Sequence, residues 1–153
     1  MTGDGEDAAL ILLPVASTAK AAGDRFTGDV WVDTITEGAL PGSARLATVR
    51  FSPGARTAWH RHALGQTLHV TDGQGLVQAK EGQLILMRPG DTVYTAPGVW
   101  HWHGALSGHF MTHLALADSA QQMGVPDVEW GDLVTDAEYD AATTTATTAR
   151  TAR

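Results

Sequence analysis

The stretch Gly54–Gly73, GARTAWHRHALGQTLHVTDG, carries the pattern that decides the fold. Pro53-Gly54 opens it and Asp72-Gly73 closes it, both dipeptides that turn a chain. Gly65 is a natural turn inside it. Side chains two apart on a strand share a face. His60 and His62 therefore present two imidazoles to one side. After Gly65 the chain returns with Gln66, Leu68 and Val70 on one face and Thr67, His69 and Thr71 on the other. If Leu68 and Val70 face an apolar interior, Gln66 joins them beside the histidine pair, and His69 faces away.

The same grammar continues in both directions. Leu10–Val15, Gly28–Val32, Ala44–Phe51, Gln66–Val70, Gly75–Ala79, Gln83–Met87, Thr92–Thr95 and His109–Ala117 read as strands. Pro41-Gly42, Glu81-Gly82, Pro89-Gly90 and Pro97-Gly98 punctuate them. Many short strands at close spacing argue for an all-β sandwich or barrel, and a jelly roll is the simplest container. Thr135–Ala142, with Asp132 or Thr135 as cap, is the one short helix expected. Residues 1–7 read as a flexible N-terminus, 8–140 as one domain, and 141–153 (AATTTATTARTAR) as a low-complexity, disordered tail.

The 153 residues suit one domain that builds its core without staples, and there is no cysteine. Thiol catalysis and cysteine-based metal sites are excluded. The net charge is −7, and up to Asp140 the chain holds 8 basic and 17 acidic residues. Such a surface repels phosphate backbones and anionic membranes, so nucleic acid and membrane are not expected partners. Ala8–Ala16 is too short to span a bilayer, and Asp4, Glu6 and Asp7 before it do not suit a signal peptide. A strand there, and a cytoplasmic protein, are expected.

Seven histidines are many for this length, and most are grouped. His101 and His103 repeat the spacing of His60 and His62, with Trp102 opposite; His113 follows on the last strand. Inward-facing imidazoles need partners, because unpaired burial of polar groups is costly. A metal ion gives one partner to several nitrogens at once, and neutral imidazole suits zinc, iron, nickel and copper. His69 and His109 read as surface or interface residues, and the five tryptophans, Trp130 included, as fillers of a core or a dimer interface.

Two blocks together resemble the cupin superfamily. Gly54, His60, His62, Gln66 and Gly73 stand at the spacing of its first motif, and GDTVYTAPGVWH (Gly90–His101) at that of its second. The fold implied is a cupin jelly-roll β-barrel. Where the family commonly has Glu, this chain has Gln66. That variant is similar to small single-domain cupins that include manganese-dependent hydroxynitrile lyases. The resemblance implies His60, His62, Gln66 and His101 as ligands to a divalent metal, manganese first, with zinc, iron or nickel as alternatives. It implies His103 and His113 as non-ligand histidines of the cavity, a small-molecule substrate (a hydroxynitrile or aldehyde), and a homodimer or homotetramer.

An amide in place of a carboxylate leaves the ion's dipositive charge undiminished, which favours Lewis-acid chemistry over oxygenase chemistry. Imidazole titrates near neutral pH, so His103 and His113 suit acid/base work. Parity and the family position of the strands make Ala47, Val49, Phe51, Ala115 and Ala117 pocket walls, with core packing the competing role for the first three. Thr57 enters the pocket only if a bulge turns it there. The reading is a metal-dependent lyase. A cupin dioxygenase, an isomerase or cyclase, and a non-catalytic binder of small ligands are the alternatives.

Overall fold

The computed structural model describes residues 10–38 and 44–151. Among them run β1 (Ala19–Lys20), β2 (Phe26–Thr27), β3 (Val30–Glu37), β4 (Ala44–Phe51), β5 (Arg56–Thr57), β6 (His60–His62), β7 (Gln66–Gly73), β8 (Gly75–Ala79), β9 (Leu84–Met87), β10 (Thr92–Thr95), β11 (His101–Ala105), β12 (Met111–Asp118) and β13 (Val128–Trp130), closed by one helix, α1 (Asp136–Thr151). One sheet has the order β1-β3-β4-β12-β7-β10. The other runs β13-β6-β11-β5-β2, with β8 on β11 and β9 on β8. Every pairing is antiparallel, and sequence-distant strands lie side by side, as the expected jelly roll requires.

Period-two alternation turns one face of each sheet inward. Val30, Val49, Phe51, Leu68, Val70, Val77, Met87, Ala105 and Met111 meet there as a buried core. Thr67 and His69 face outward, as their parity demands, and His69 accepts or donates a bond at the Thr92 hydroxyl. Gly65 turns β6 into β7 at φ +81°, and a Cβ on it would press within 2.8 Å of the Thr95 carbonyl oxygen. Only glycine fits so tight a turn, and the turn sets His62 and Gln66 on the same interior.

Three expectations are corrected. Leu10–Val15 forms no strand; Pro14 has no N–H to give a ladder, and pairing begins at Ala19–Lys20 on β3. The segment expected as Gly28–Val32 breaks at Gly28, whose φ is +79°, so β2 and β3 flank a turn. The short helix runs on to Thr151, through most of the stretch expected to be a disordered tail. Thr135 and Glu138 exchange bonds of 3.1 Å, each side chain accepting from the other's N–H, and so start α1 with a capping box. Tyr139, Ala142 and Ala146 then line up at helical spacing. They pack on Trp59, Leu76, Trp102 and Leu106 outside the barrel. Alanine is a strong helix former, and small side chains suffice for that contact. Residues 1–9, which include the expected flexible N-terminus, lie outside the described residues. Among the described residues no helix is long and apolar enough to cross a membrane.

Candidate metal centre

Two paired strands set the centre. β6 and β11 meet in register at His60 and His101, and their rings come within 4.3 Å, centroid to centroid. Alternation sends Arg61 and Trp102 the other way. Arg61 forms an ion pair with Glu129 at 2.6 Å, and the Trp102 indole N–H donates to Gln78 Oε1 at 3.0 Å. His62 lies 5.1 Å from His60, and His103 lies 5.2 Å from it on another side, ring to ring. β7 adds Gln66 and β12 adds His113; all six side chains are buried.

Ligand nitrogens of His60, His101 and His103 all lie within 4.8 Å of one another, close enough for one ion to be shared; the triad includes His103, expected as a non-ligand, and not His62, expected as a ligand. Each Nδ1 of His60 and His101 sits 2.9 Å from a backbone carbonyl, that of Ala58 and that of Val99. A carbonyl only accepts, so both Nδ1 atoms carry the proton and both Nε2 atoms present a bare lone pair. Gln66 Oε1 lies 3.4 Å from His101 Nε2. Turned as an oxygen, it sets an acceptor against an acceptor, an arrangement a cation between them relieves. The Nε2 atoms of His62 and His103 and the Nδ1 of His113 are buried without a hydrogen-bond partner. The His60 and His101 Nε2 lone pairs, the unpartnered His62 Nε2 and the Gln66 oxygen are buried and neutral, and this donor set fits a divalent transition metal.

Burial is the main reason that the imidazoles resist protonation. It holds His60 and His103 well below the ordinary histidine range, with neighbouring imidazoles adding to the effect. His62 is lowered to about 4 by burial and then by His101. His113 is lowered to about 4 by burial. His101 is lowered for the same reason. Neutral imidazole is the form that binds metal.

His113 Nε2 and His103 Nδ1 are 3.1 Å apart, a hydrogen-bonded pair in which one ring fixes the other's tautomer. Phe51 closes on both rings, at 5.8 Å from His103 and 5.2 Å from His113.

A cavity of about 270 Å³ adjoins the cluster, with His62 and Gln66 in its wall. Ala47, Val49, Ala115 and Ala117 line it, together with Phe26, Val32 and Trp130. Phe51 and Thr57 do not. Phe51 belongs to the buried core behind the dyad. The Thr57 hydroxyl accepts the His103 backbone N–H at 3.2 Å, because the chain breaks strand geometry at Ala58-Trp59 between β5 and β6. Arg45 and Asp127 form an ion pair in the cavity wall, and Asp127 also accepts from Ser119 and the Ala120 N–H.

Trp130 was read as a filler, yet it lies on His60 and in the cavity wall. Its strand, β13, is three residues long and flanked by no periodic pattern. Its pairing with β6, Trp130 opposite His60, is a long-range contact with no local signal.

Comparison with known proteins agrees with this architecture. Residues 47–113 match the cupin domain family. An (R)-mandelonitrile lyase of Granulicella tundricola is 43% identical over 80% of this chain and 92% of its own length. A cupin-like protein of Thermotoga maritima, solved by crystallography, is 36% identical, with a TM-score of 0.75 over 82% of this chain and 92% of its own. A conserved barrel domain protein of Rhodopseudomonas palustris, at 21% identity and a TM-score of 0.61, shares the fold. With its jelly roll, its inward histidines and these relatives, the chain belongs to the cupin family.

Proposed function

We propose that this chain is a metal-dependent lyase that cleaves, and in reverse forms, the carbon–carbon bond of hydroxynitriles, as a homodimer or homotetramer. His60, His62, Gln66 and His101 would hold the ion, manganese first among the candidates. The observation that carries the reading is the group of buried neutral imidazoles and one amide beside an apolar cavity, in which His103 is also hydrogen-bonded to His113. The similarity to a relative named (R)-mandelonitrile lyase supports the same choice of reaction.

A bound divalent ion supplies Lewis-acid stabilisation of negative charge on an oxygen. The chain's own residues do the rest. The cavity's apolar wall takes the carbon skeleton and keeps water away, which strengthens every electrostatic contact inside. With His103 Nδ1–H donating to His113 Nε2, His103 Nε2 is a bare base facing the cluster. It takes the substrate hydroxyl proton. The O–H pair becomes the carbonyl π bond, the bond to the nitrile carbon breaks, and its electron pair leaves as cyanide. The proton returns from His103 to cyanide, giving aldehyde and hydrogen cyanide with no redox change.

The test is metal analysis of protein purified without added ions, followed by anaerobic mandelonitrile cleavage read as benzaldehyde. Stoichiometric metal and turnover that disappears on chelation are expected. His103→Ala and His113→Ala should each slow turnover by about 10²- to 10⁴-fold with metal retained. Metal-loaded protein that leaves mandelonitrile untouched would sink the proposal, as would turnover that requires dioxygen.

A further inference from the structure

The barrel has a seam. β9 and β10 follow one another in the chain, joined by residues 88–91, yet they lie in different sheets. Among the described strands β9 pairs only with β8 and β10 only with β7, so no ladder closes the gap between them. Ile85 records the opening. Alternation sends it to the same side as Met87, which is fully buried, but 36% of Ile85 is exposed.

A second cavity, of about 200 Å³, lies in this seam. Val77 and Ile85 line it from one sheet, Val93 and Thr95 from the other, and His101 is part of its wall. Gln66 belongs to the wall of the larger cavity, and its Oε1 is 3.4 Å from His101 Nε2. One layer of side chains thus separates the two spaces, and that layer contains two of the proposed ligands. The two spaces differ in character. Glu37, Arg45, Asp118 and Asp127 stand in the wall of the larger one. Among the described residues, the seam is lined by no carboxylate, ammonium or guanidinium group.

We propose that the seam is a second entrance to the metal centre, through which a small neutral molecule, hydrogen cyanide, enters and leaves while the aldehyde occupies the larger cavity. The inference rests on the reaction proposed above, whose two products differ greatly in size. While the aldehyde fills the larger cavity, that cavity is no exit for the smaller product. The seam offers one on the far side of the His101–Gln66 layer. Its volume is several times the roughly 30 Å³ that one water occupies in the liquid, room enough for a molecule of three atoms. Its uncharged lining suits the neutral acid over the cyanide anion, which would have to shed its hydration to pass. Return of the proton to cyanide before departure then makes the product fit its way out.

The experiment follows cyanide binding to the cobalt(II)-loaded full-length chain by the visible absorption of the ion, in stopped flow at neutral pH, where cyanide is chiefly hydrogen cyanide. Ala117→Trp obstructs the larger cavity and Ile85→Trp the seam; neither position is a proposed ligand. Ala117→Trp alone is expected to slow binding less than about twofold, and Ile85→Trp added to it to slow binding about tenfold or more, since the probe then waits for a fluctuation. Ile85→Ala in the Ala117→Trp background removes bulk instead and should quicken binding, a reading that does not depend on the bulkier variant folding. In synthesis, Ile85→Trp alone should make excess benzaldehyde inhibitory, because aldehyde that enters first then shuts cyanide out. A double variant that binds cyanide as fast as Ala117→Trp alone overturns the proposal, as does a rate that Ala117→Trp alone already abolishes or that Ile85→Ala leaves unchanged. Protein that shows the expected rates yet leaves mandelonitrile intact would overturn the lyase reading and keep the seam as an entrance for small neutral molecules.

Discussion

Trp130 lies against His60, ring centroids 4.8 Å apart and planes 28° from parallel. The indole touches the cluster on one side and the cavity on another, while Arg25 sits over it, 5.2 Å from the ring centroid. His60 is thus held at two points, by its Nδ1–H on the Ala58 carbonyl and by a flat aromatic surface.

Trp130→Leu removes the surface and Trp130→Phe keeps part of it. Aromatic pairs contribute about 0.5–1.5 kcal/mol beyond area burial. Leucine is therefore expected to weaken metal retention against a chelator about 2- to 10-fold, with phenylalanine intermediate. For aromatic aldehydes the KM should rise more than kcat falls, and aliphatic aldehydes should show a smaller rise. Equal losses for both substrate classes would reduce Trp130 to a core residue.

Gln66 sits beside His101 with a neutral oxygen. Gln66→Glu keeps the shape and adds a negative charge facing the lone pairs of His101 and its neighbours. Metal should be held more tightly, since an anion attracts a dication across a buried, low-dielectric space. Lyase turnover should fall by about tenfold or more, because the added charge weakens stabilisation of negative charge on substrate oxygen. Metal content and anaerobic rates read the two effects separately. Tighter metal with unchanged turnover would remove the electrostatic role assigned to the amide.

How much of this was legible follows from how local each signal is. Both histidine pairs were readable because strand parity acts over two residues, and Gly65 because a turn between His62 and Gln66 has few alternatives. Ala47, Val49, Ala115 and Ala117 followed from the same parity, and they line the cavity. Phe51 obeyed parity too but sits behind the His103–His113 pair, at a depth that alternation does not encode. Thr57 depended on the break at Ala58-Trp59. Trp130 depended on a pairing across 70 residues. The alanine and threonine run after Asp140 looked too small to anchor; Ala142 and Ala146, four residues apart on one helical face, join Trp59 and Trp102 only because α1 packs on the barrel.

The capping box of α1 gives a prediction for acid. The Thr135 backbone N–H is the main cause that lowers the Glu138 carboxyl below its ordinary value, with the Trp59 indole and the Thr135 hydroxyl side assisting. A carboxylate whose folded pKa is depressed stabilises the fold above its unfolded value, near 4.5, and the gain fades as pH falls through the folded value. Glu138→Gln should therefore lower the melting temperature at neutral pH and differ progressively less from wild type below about pH 4.5. Thr135→Ala should cost about 0.5–2 kcal/mol at neutral pH. A Glu138→Gln deficit that stays constant into acid would mean that the charge is not what caps the helix.

The buried imidazoles predict how metal and acid compete. His62 and His113 are lowered from 6.5 to about 4, burial being the first cause in each. In the unfolded chain these groups take protons near pH 6.5, and in the folded chain only near 4. The unfolded state thus binds more protons in between, so stability rises with pH through that window and is lost as pH falls from 6.5 toward 4. Metal-free protein should therefore show a denaturation midpoint that drops steadily over this range. Adding metal should raise the midpoint most at neutral pH, since the ion binds neutral imidazole and competes with protons below it. Removing the two titrating imidazoles, in His62→Ala/His113→Ala, should flatten the acid slope, and removing two proposed ligands, in His60→Ala/His101→Ala, should abolish the metal-induced rise. An acid slope that survives in the first variant would place the protons elsewhere, and a metal-induced rise that survives in the second would place the ion elsewhere.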